Sequence, residues 1–422
     1  MQQAGPASRF DFGAVLQPGD TIAWPQGTGE PAALTRRLVS QRQSLRDITL
    51  FIGMTGSDTL RPDCVDGFHI LSLNGAGGNR RLAAAGCLDI LPVPVSTVPR
   101  LLRSGHIKID VALIRVRPAA QPGQYSTGVI ADYTQSLISA ARCVIAELDE
   151  RLPATGQDAL IAAGQIDILL EADGDAIVMP DPQPSVIETQ VAAQAAACIP
   201  DGATLQFGIG GLPVAVCRAL RDHRHLGVHS GVVPDAVVDL IEAGVVDNSR
   251  KTTDAGLLVT GGLFGSEKLN RYADGNALVV LRSVEYTHHP AVMAALHSLH
   301  AVNSAIEVDL TGQSNAEVAG GRYIGAVGGQ QDFVRGAQLS PGGRSIIALP
   351  SVTADGRHSR IVASLAGRPV TTGRADMDLV VTEYGVADLR GCTLAERARR
   401  LASVAHPAFR DDLQAAARAM IE

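Results

Sequence analysis

Two glycine-rich turns carry the residue types best suited to chemistry in this chain. The first, QFGIGGLP at 206–213, sets Gly208, Ile209, Gly210 and Gly211 between an apolar strand and a helix start. Glycine lets backbone approach a ligand closely, and the first amides of a helix offer N–H groups to whatever lies in front of them. The second, AVGGQQDFVRGA at 326–337, brings together Val327, Gly328, Gly329 and Gln330. Two consecutive glycines free two amides to converge on an anion, and the Gln330 side chain can add a donor. Donors fixed around a developing oxyanion are the main electrostatic contribution in acyl transfer. A tight turn at the end of a strand would use the same glycines for conformational reasons alone. A dinucleotide loop is excluded at the first turn, because Pro213 stands where GxGxxG needs its last glycine.

Several carboxylates accompany these turns. Glu30, in QGTGEP, and Asp58, in GMTGSDTL, each follow an apolar strand inside a glycine turn. Strand ends of this kind face ligands in α/β sheets. Glu30 would equally complement a helix dipole, and Asp58 would equally cap a turn. Glu307 and Asp309 share one face if their segment is extended, which suits either acid–base work or a solvated strand edge. Glu383 follows an apolar strand, where capping and catalysis are both open. Asp332 and Arg335 are spaced for an ion pair that orients the second turn. The histidines at 288, 289, 297 and 300 invite a metal, but adjacent histidines point apart and 297/300 read as the surface of a helix. With no HExxH and no CxxC pair, no metal site is expected, and without GxSxG no serine nucleophile.

The elements that must hold these residues alternate. TIAWP (21–25), ITLFIG (48–53) and VALIRV (111–116) read as buried strands, with a helix over 30–42 opening on Glu30-Pro31. ARCVIAELDERLP (141–153) and IDILLEAD (166–173) complete the first half. The Pro-rich DPQPSVIE (181–188) then gives a linker, dividing the chain into domains at 1–182 and 183–422. The second half repeats the theme, and 17–34 parallels 200–216: a strand, a glycine loop, then a helix with an early proline. Alternation of this kind predicts an α/β fold of two similar open domains with largely parallel sheets.

Composition narrows the class further. The chain has 422 residues, 46% of them hydrophobic, 44 glycines, and a net charge of −7. No basic stripe exists to neutralise phosphates, so a nucleic-acid partner is not expected. Six scattered cysteines fit reduced thiols. No signal peptide and no apolar run long enough for a membrane span is visible, so a cytoplasmic enzyme is expected.

The block from Glu307 to Arg410 resembles the acetyl-CoA hydrolase/transferase family. It contains EVDLTGQSNAE, AVGGQQDFVRGA, SIIALPS, VVTEYGVADLRG and AHPAFR in that order. The resemblance implies a CoA-transferase fold with its active site in an inter-domain cleft. It also implies an acyl-CoA and a small carboxylic acid as substrates, CoA as co-substrate without a further cofactor, and a homo-oligomer. The loops at 208–211 and 327–330 would border the thioester carbonyl. In 4-hydroxybutyrate-type members a nucleophilic glutamate follows a His-Ser-like pair after a short strand. Here LGVHSGVV puts Gly231 at that position. Three readings follow: Glu30 or Asp58 replaces the carboxylate, water attacks with His229 as base, or CoA is bound without turnover. The first is the expectation, with 4-hydroxybutyrate, succinate or itaconate as the acid.

Overall fold

Runs of branched apolar residues without polar alternation become strands covered on both faces, and helices supply that cover. The computed structural model, which describes residues 2–157 and 160–420, has this arrangement in each of two units. The first unit takes in residues up to Pro180 together with Val259–Thr287 and Arg322–Gly328; the second holds Asp181–Leu258, His288–Gly321 and residues from Gly329 onward.

The first unit is built on a sheet ordered Gln2–Pro6, Ile168–Glu171, Cys143–Leu148, Val111–Pro118, Thr21–Ala23, Ile48–Ile52, Phe68–Ser72 and Asp89–Ile90. Each neighbouring pair along it is parallel. Alternate residues feed two cores. Ile22, Leu50, Val111, Leu113 and Ile145 pack on one side; Ala23, Phe51, Ala112, Ile114, Val144 and Ala146 pack on the other. The expected strands at 21–25, 48–53 and 111–116 lie in this sheet, whereas Phe68–Ser72, with its exposed His69, carries too weak a pattern to be anticipated.

The second unit has a parallel run Arg344–Ala348, Leu299–Ser304, Thr204–Phe207, Gly227–Ser230. Leu379–Thr382 extends it in parallel, and Gly385–Asp388 closes that edge as an antiparallel hairpin strand. The helix Val186–Ala196 begins at Ser185, whose side chain accepts from the Glu188 amide while Glu188 reaches back to the Ser185 amide. His300 corrects the sequence expectation: it sits buried in a strand, not on a helix surface. Among the described residues no helix is long and apolar enough to cross a membrane.

Burial gives the first unit a pH dependence. Glu147 accepts from the Leu34 amide in the first turn of helix Ala32–Ser40, and its other oxygen has no partner. Burial pushes the Glu147 and Asp132 carboxyls up to about 7. The folded state therefore holds protons that the unfolded chain has already released, and stability falls as pH rises from roughly 4 to 7. For Glu147 the loss is about 3 kcal/mol. Urea denaturation should show greater stability at pH 4.5 than at pH 8, and Glu147→Gln should flatten part of that slope. Equal slopes in variant and wild type would refute the assignment.

Candidate active site

The chain leaves the strand Thr204–Phe207 through Gly208 and Ile209 and enters the helix Gly211–Ala219. Gly210 sits at the helix cap with φ of 109°, a conformation side chains resist, so this glycine is required by the turn itself. Ile209 is 46% exposed at the tip. Gly211 lies against the Glu188 carboxylate, which would stand 2.8 Å from an added Cβ. Ser230 ties this turn to the next strand end. Its Oγ accepts from the Phe207 amide and donates to the Val232 carbonyl at 2.7 Å.

Gly231 follows directly on the strand Gly227–Ser230. A Cβ there would meet His288 Cε1 at 2.9 Å, Nε2 at 3.2 Å and Phe333 at 3.6 Å. Gly329 caps the helix Gln330–Leu339 and faces the same imidazole, with Nε2 only 2.5 Å from a would-be Cβ. One edge of the His288 ring therefore lies between two glycines that are far apart in sequence. The ring is 6% exposed and rests on Phe333, ring centroids 4.6 Å apart. Burial first, and then neighbouring His229, push its pKa down to about 3, so the imidazole is neutral at ordinary pH.

Val327 and Gly328 end the first unit's last segment, where the Gly328 carbonyl accepts from the Val95 amide. The Gln330 side-chain amide donates to Thr372 Oγ1 at 3.0 Å, which engages one of its two N–H groups inside the protein. Arg335 also departs from its expected partner. It pairs with Asp376 at 3.1 Å, not with Asp332.

The two candidate carboxylates are placed differently from each other. Glu30 is fully buried. Its Oε1 accepts from Ser57 Oγ at 2.5 Å and Thr35 Oγ1 at 3.1 Å; its Oε2 accepts from the Gly56 and Ser57 amides. In this arrangement Glu30 clamps the 56–57 turn to the helix start and presents no oxygen to a substrate. Asp58 lies at the surface, its side chain 78% exposed and 3.7 Å from Arg81. Water around Asp58 would blunt a carboxylate meant to attack a thioester.

The acidic residues of the second unit are also engaged. Glu307 pairs with Arg368 and accepts from Asn315; Asp309 closes its own turn with Thr311 and Gln313. Glu383 accepts from the Ser351 amide and hydroxyl.

Two residues were not read from the sequence as part of this site. His288 was masked by its neighbour: the adjacent, exposed His289 caps a helix through Nδ1, so the pair does point apart, one of them inward. Arg360 is half-buried, its Nε has no partner, and its charge is felt by Glu188, Glu307 and Glu383. Desolvation lowers its pKa despite those three acids. Neither residue belongs to a short motif, so only the fold reveals them.

Comparison with known proteins extends over nearly the whole chain. Residues 11–179 match the model of the acetyl-CoA hydrolase/transferase N-terminal domain, and residues 265–417 match that of the C-terminal domain. A 4-hydroxybutyrate coenzyme A transferase of Clostridium kluyveri is 38% identical over 395 residues, 93% of this chain and 92% of its own length. A succinyl-CoA:cyclohexane-1-carboxylate CoA transferase of Geobacter metallireducens is 34% identical, covering 98% of this chain and 95% of that protein. The crystal structure of RipA from Yersinia pestis superimposes with a TM-score of 0.90 at 33% identity, over 97% of this chain and 96% of that one.

Proposed function

The chain belongs to the acetyl-CoA hydrolase/transferase family, and from that premise we propose that it moves CoA between a short acyl-CoA and a small carboxylic acid. The observation that carries this reading is the convergence of Gly231 and Gly329 on one neutral imidazole in front of a helix N-terminus. Backbone amides that open a helix stabilise negative charge developing on a thioester oxygen, and glycine leaves them uncovered. CoA would be a co-substrate, with no metal or redox group taking part. The Clostridium kluyveri and Geobacter metallireducens relatives are named CoA transferases, which supports transfer over binding alone.

Hydrolysis is the second reading, favoured by one observation: position 231 carries no carboxylate. One assay separates the two. Acetyl-CoA, butanoyl-CoA and succinyl-CoA are each incubated with and without 4-hydroxybutyrate, succinate, itaconate or acetate, and free thiol and new thioester are followed. Transfer gives new thioester only when an acid is added. Thiol release at the same rate without acid would favour the hydrolase.

A dicarboxylic acid such as succinate or itaconate is the finer reading, and Arg360 supports it. Its guanidinium lies within electrostatic reach of Glu188, the residue against Gly211, and has a donor to spare. A planar guanidinium suits a carboxylate at the far end of an acid. Arg360→Met should raise KM for succinate about 10-fold or more while leaving acetate within about 2-fold, since a charged hydrogen bond is worth about 1.5–3 kcal/mol. An equal rise for both acids would sink the assignment.

A further inference from the structure

Gly231 is a glycine for reasons of space. Its backbone is outside the left-handed region, so its conformation would accept any side chain. What forbids one is His288, whose Cε1 would stand 2.9 Å from the first side-chain carbon. Phe333 packs against the same imidazole and also lines this space, 3.6 Å from that carbon. Among the carboxylates that might substitute, Glu307 is held by Arg368 and Asn315, Glu383 by Ser351, and Glu30 by Ser57, Gly56 and Thr35, while one oxygen of Glu188 takes the Ser185 amide and Asp58 stands in water.

From this we propose that Gly231 and His288 are a matched pair that closes the covalent route, and that the acceptor acid attacks the acyl-CoA directly. The inference rests on the transferase reading above. In the first step a carboxylate oxygen of the acceptor bonds to the thioester carbonyl carbon, the C–S bond breaks, and CoA leaves as thiolate. The product is a mixed anhydride of the two acids. In the second step the thiolate attacks the acceptor's carbonyl carbon, and the C–O bond breaks to release the donor acid as carboxylate. No proton or electron is gained or lost, so the acid needs no base to activate it. Water would need one.

The kinetics of the wild-type protein test this first. Initial rates with acetyl-CoA and succinate varied together should give intersecting lines, because both substrates must be bound at once. Intact mass after acetyl-CoA alone should be unchanged, and borohydride during turnover should not inactivate. Parallel lines, or a mass gain matching an acyl group or CoA, would overturn the inference and leave the transferase reading standing. Absence of any exchange would overturn both. Variants give an independent check. Gly231→Glu alone should lose at least about 10-fold in transfer, since a displacement near 1 Å at a reacting centre costs on the order of 10²-fold. Adding His288→Asn removes the ring atoms Cε1 and Nε2, and the double variant should turn to parallel-line, borohydride-sensitive transfer. Gly231→Glu alone behaving that way would show that His288 closes nothing.

Discussion

Replacing Glu30 by alanine is expected to destabilise the protein by about 3–5 kcal/mol, with loss of activity following loss of fold. The change removes the acceptor of four donors, Ser57 Oγ, the Ser57 and Gly56 amides and Thr35 Oγ1, of which the two hydroxyls keep a second acceptor in Thr59 and Ala32. A donor left without a partner costs about 1–3 kcal/mol, and only part of the loss can be recovered by water entering the gap. Burial raises the Glu30 pKa while these same donors lower it, so the carboxylate depends on all of them. Glu30→Gln keeps the shape and one acceptor oxygen but turns an amide donor toward other donors, so an intermediate loss is expected. A nucleophile would behave in the opposite way. Both variants would fold normally, and both would lose transfer by several orders of magnitude. Urea midpoints measured beside kcat separate the two cases. Unchanged midpoints with abolished turnover would restore Glu30 as the reacting carboxylate.

The Glu30 case shows where sequence stops being legible. Chain order alone located the turn and the helix that follows, because glycine, proline and apolar periodicity are local signals. The parallel strands were legible for the same reason, as uninterrupted runs such as 111–116. Which way a side chain faces is settled by distant partners. Ser57 and Thr35 turn Glu30 inward, and Thr372 takes one donor of Gln330. Asp376 lies 41 residues beyond Arg335, out of range of any spacing rule. Gly231 was visible in the sequence, but the ring it faces was not. His288 lies 57 positions on, and only the fold places its ring against that glycine.

That same ring makes Gly329 the position where the smallest change should cost most. Alanine there would set Cβ 2.5 Å from His288 Nε2 and 3.0 Å from Cδ2. Ordinary carbon–nitrogen contact needs roughly 3.4 Å or more, so about 1 Å must be found somewhere. Phe333 holds the imidazole from one side, and Gly329 itself caps the helix that carries Phe333. The loop therefore moves, and with it the amides proposed to meet the thioester oxygen. Gly329→Ala should lower kcat about 10²-fold, while overpacking costs only about 1–3 kcal/mol in stability. The contact predicts a further result. Gly329→Ala with His288→Ala removes both sides of the clash, so the double variant should lose less than the two single losses combined, by about 1 kcal/mol or more. Strictly additive losses would mean that the glycine serves the loop for some reason other than the imidazole beside it.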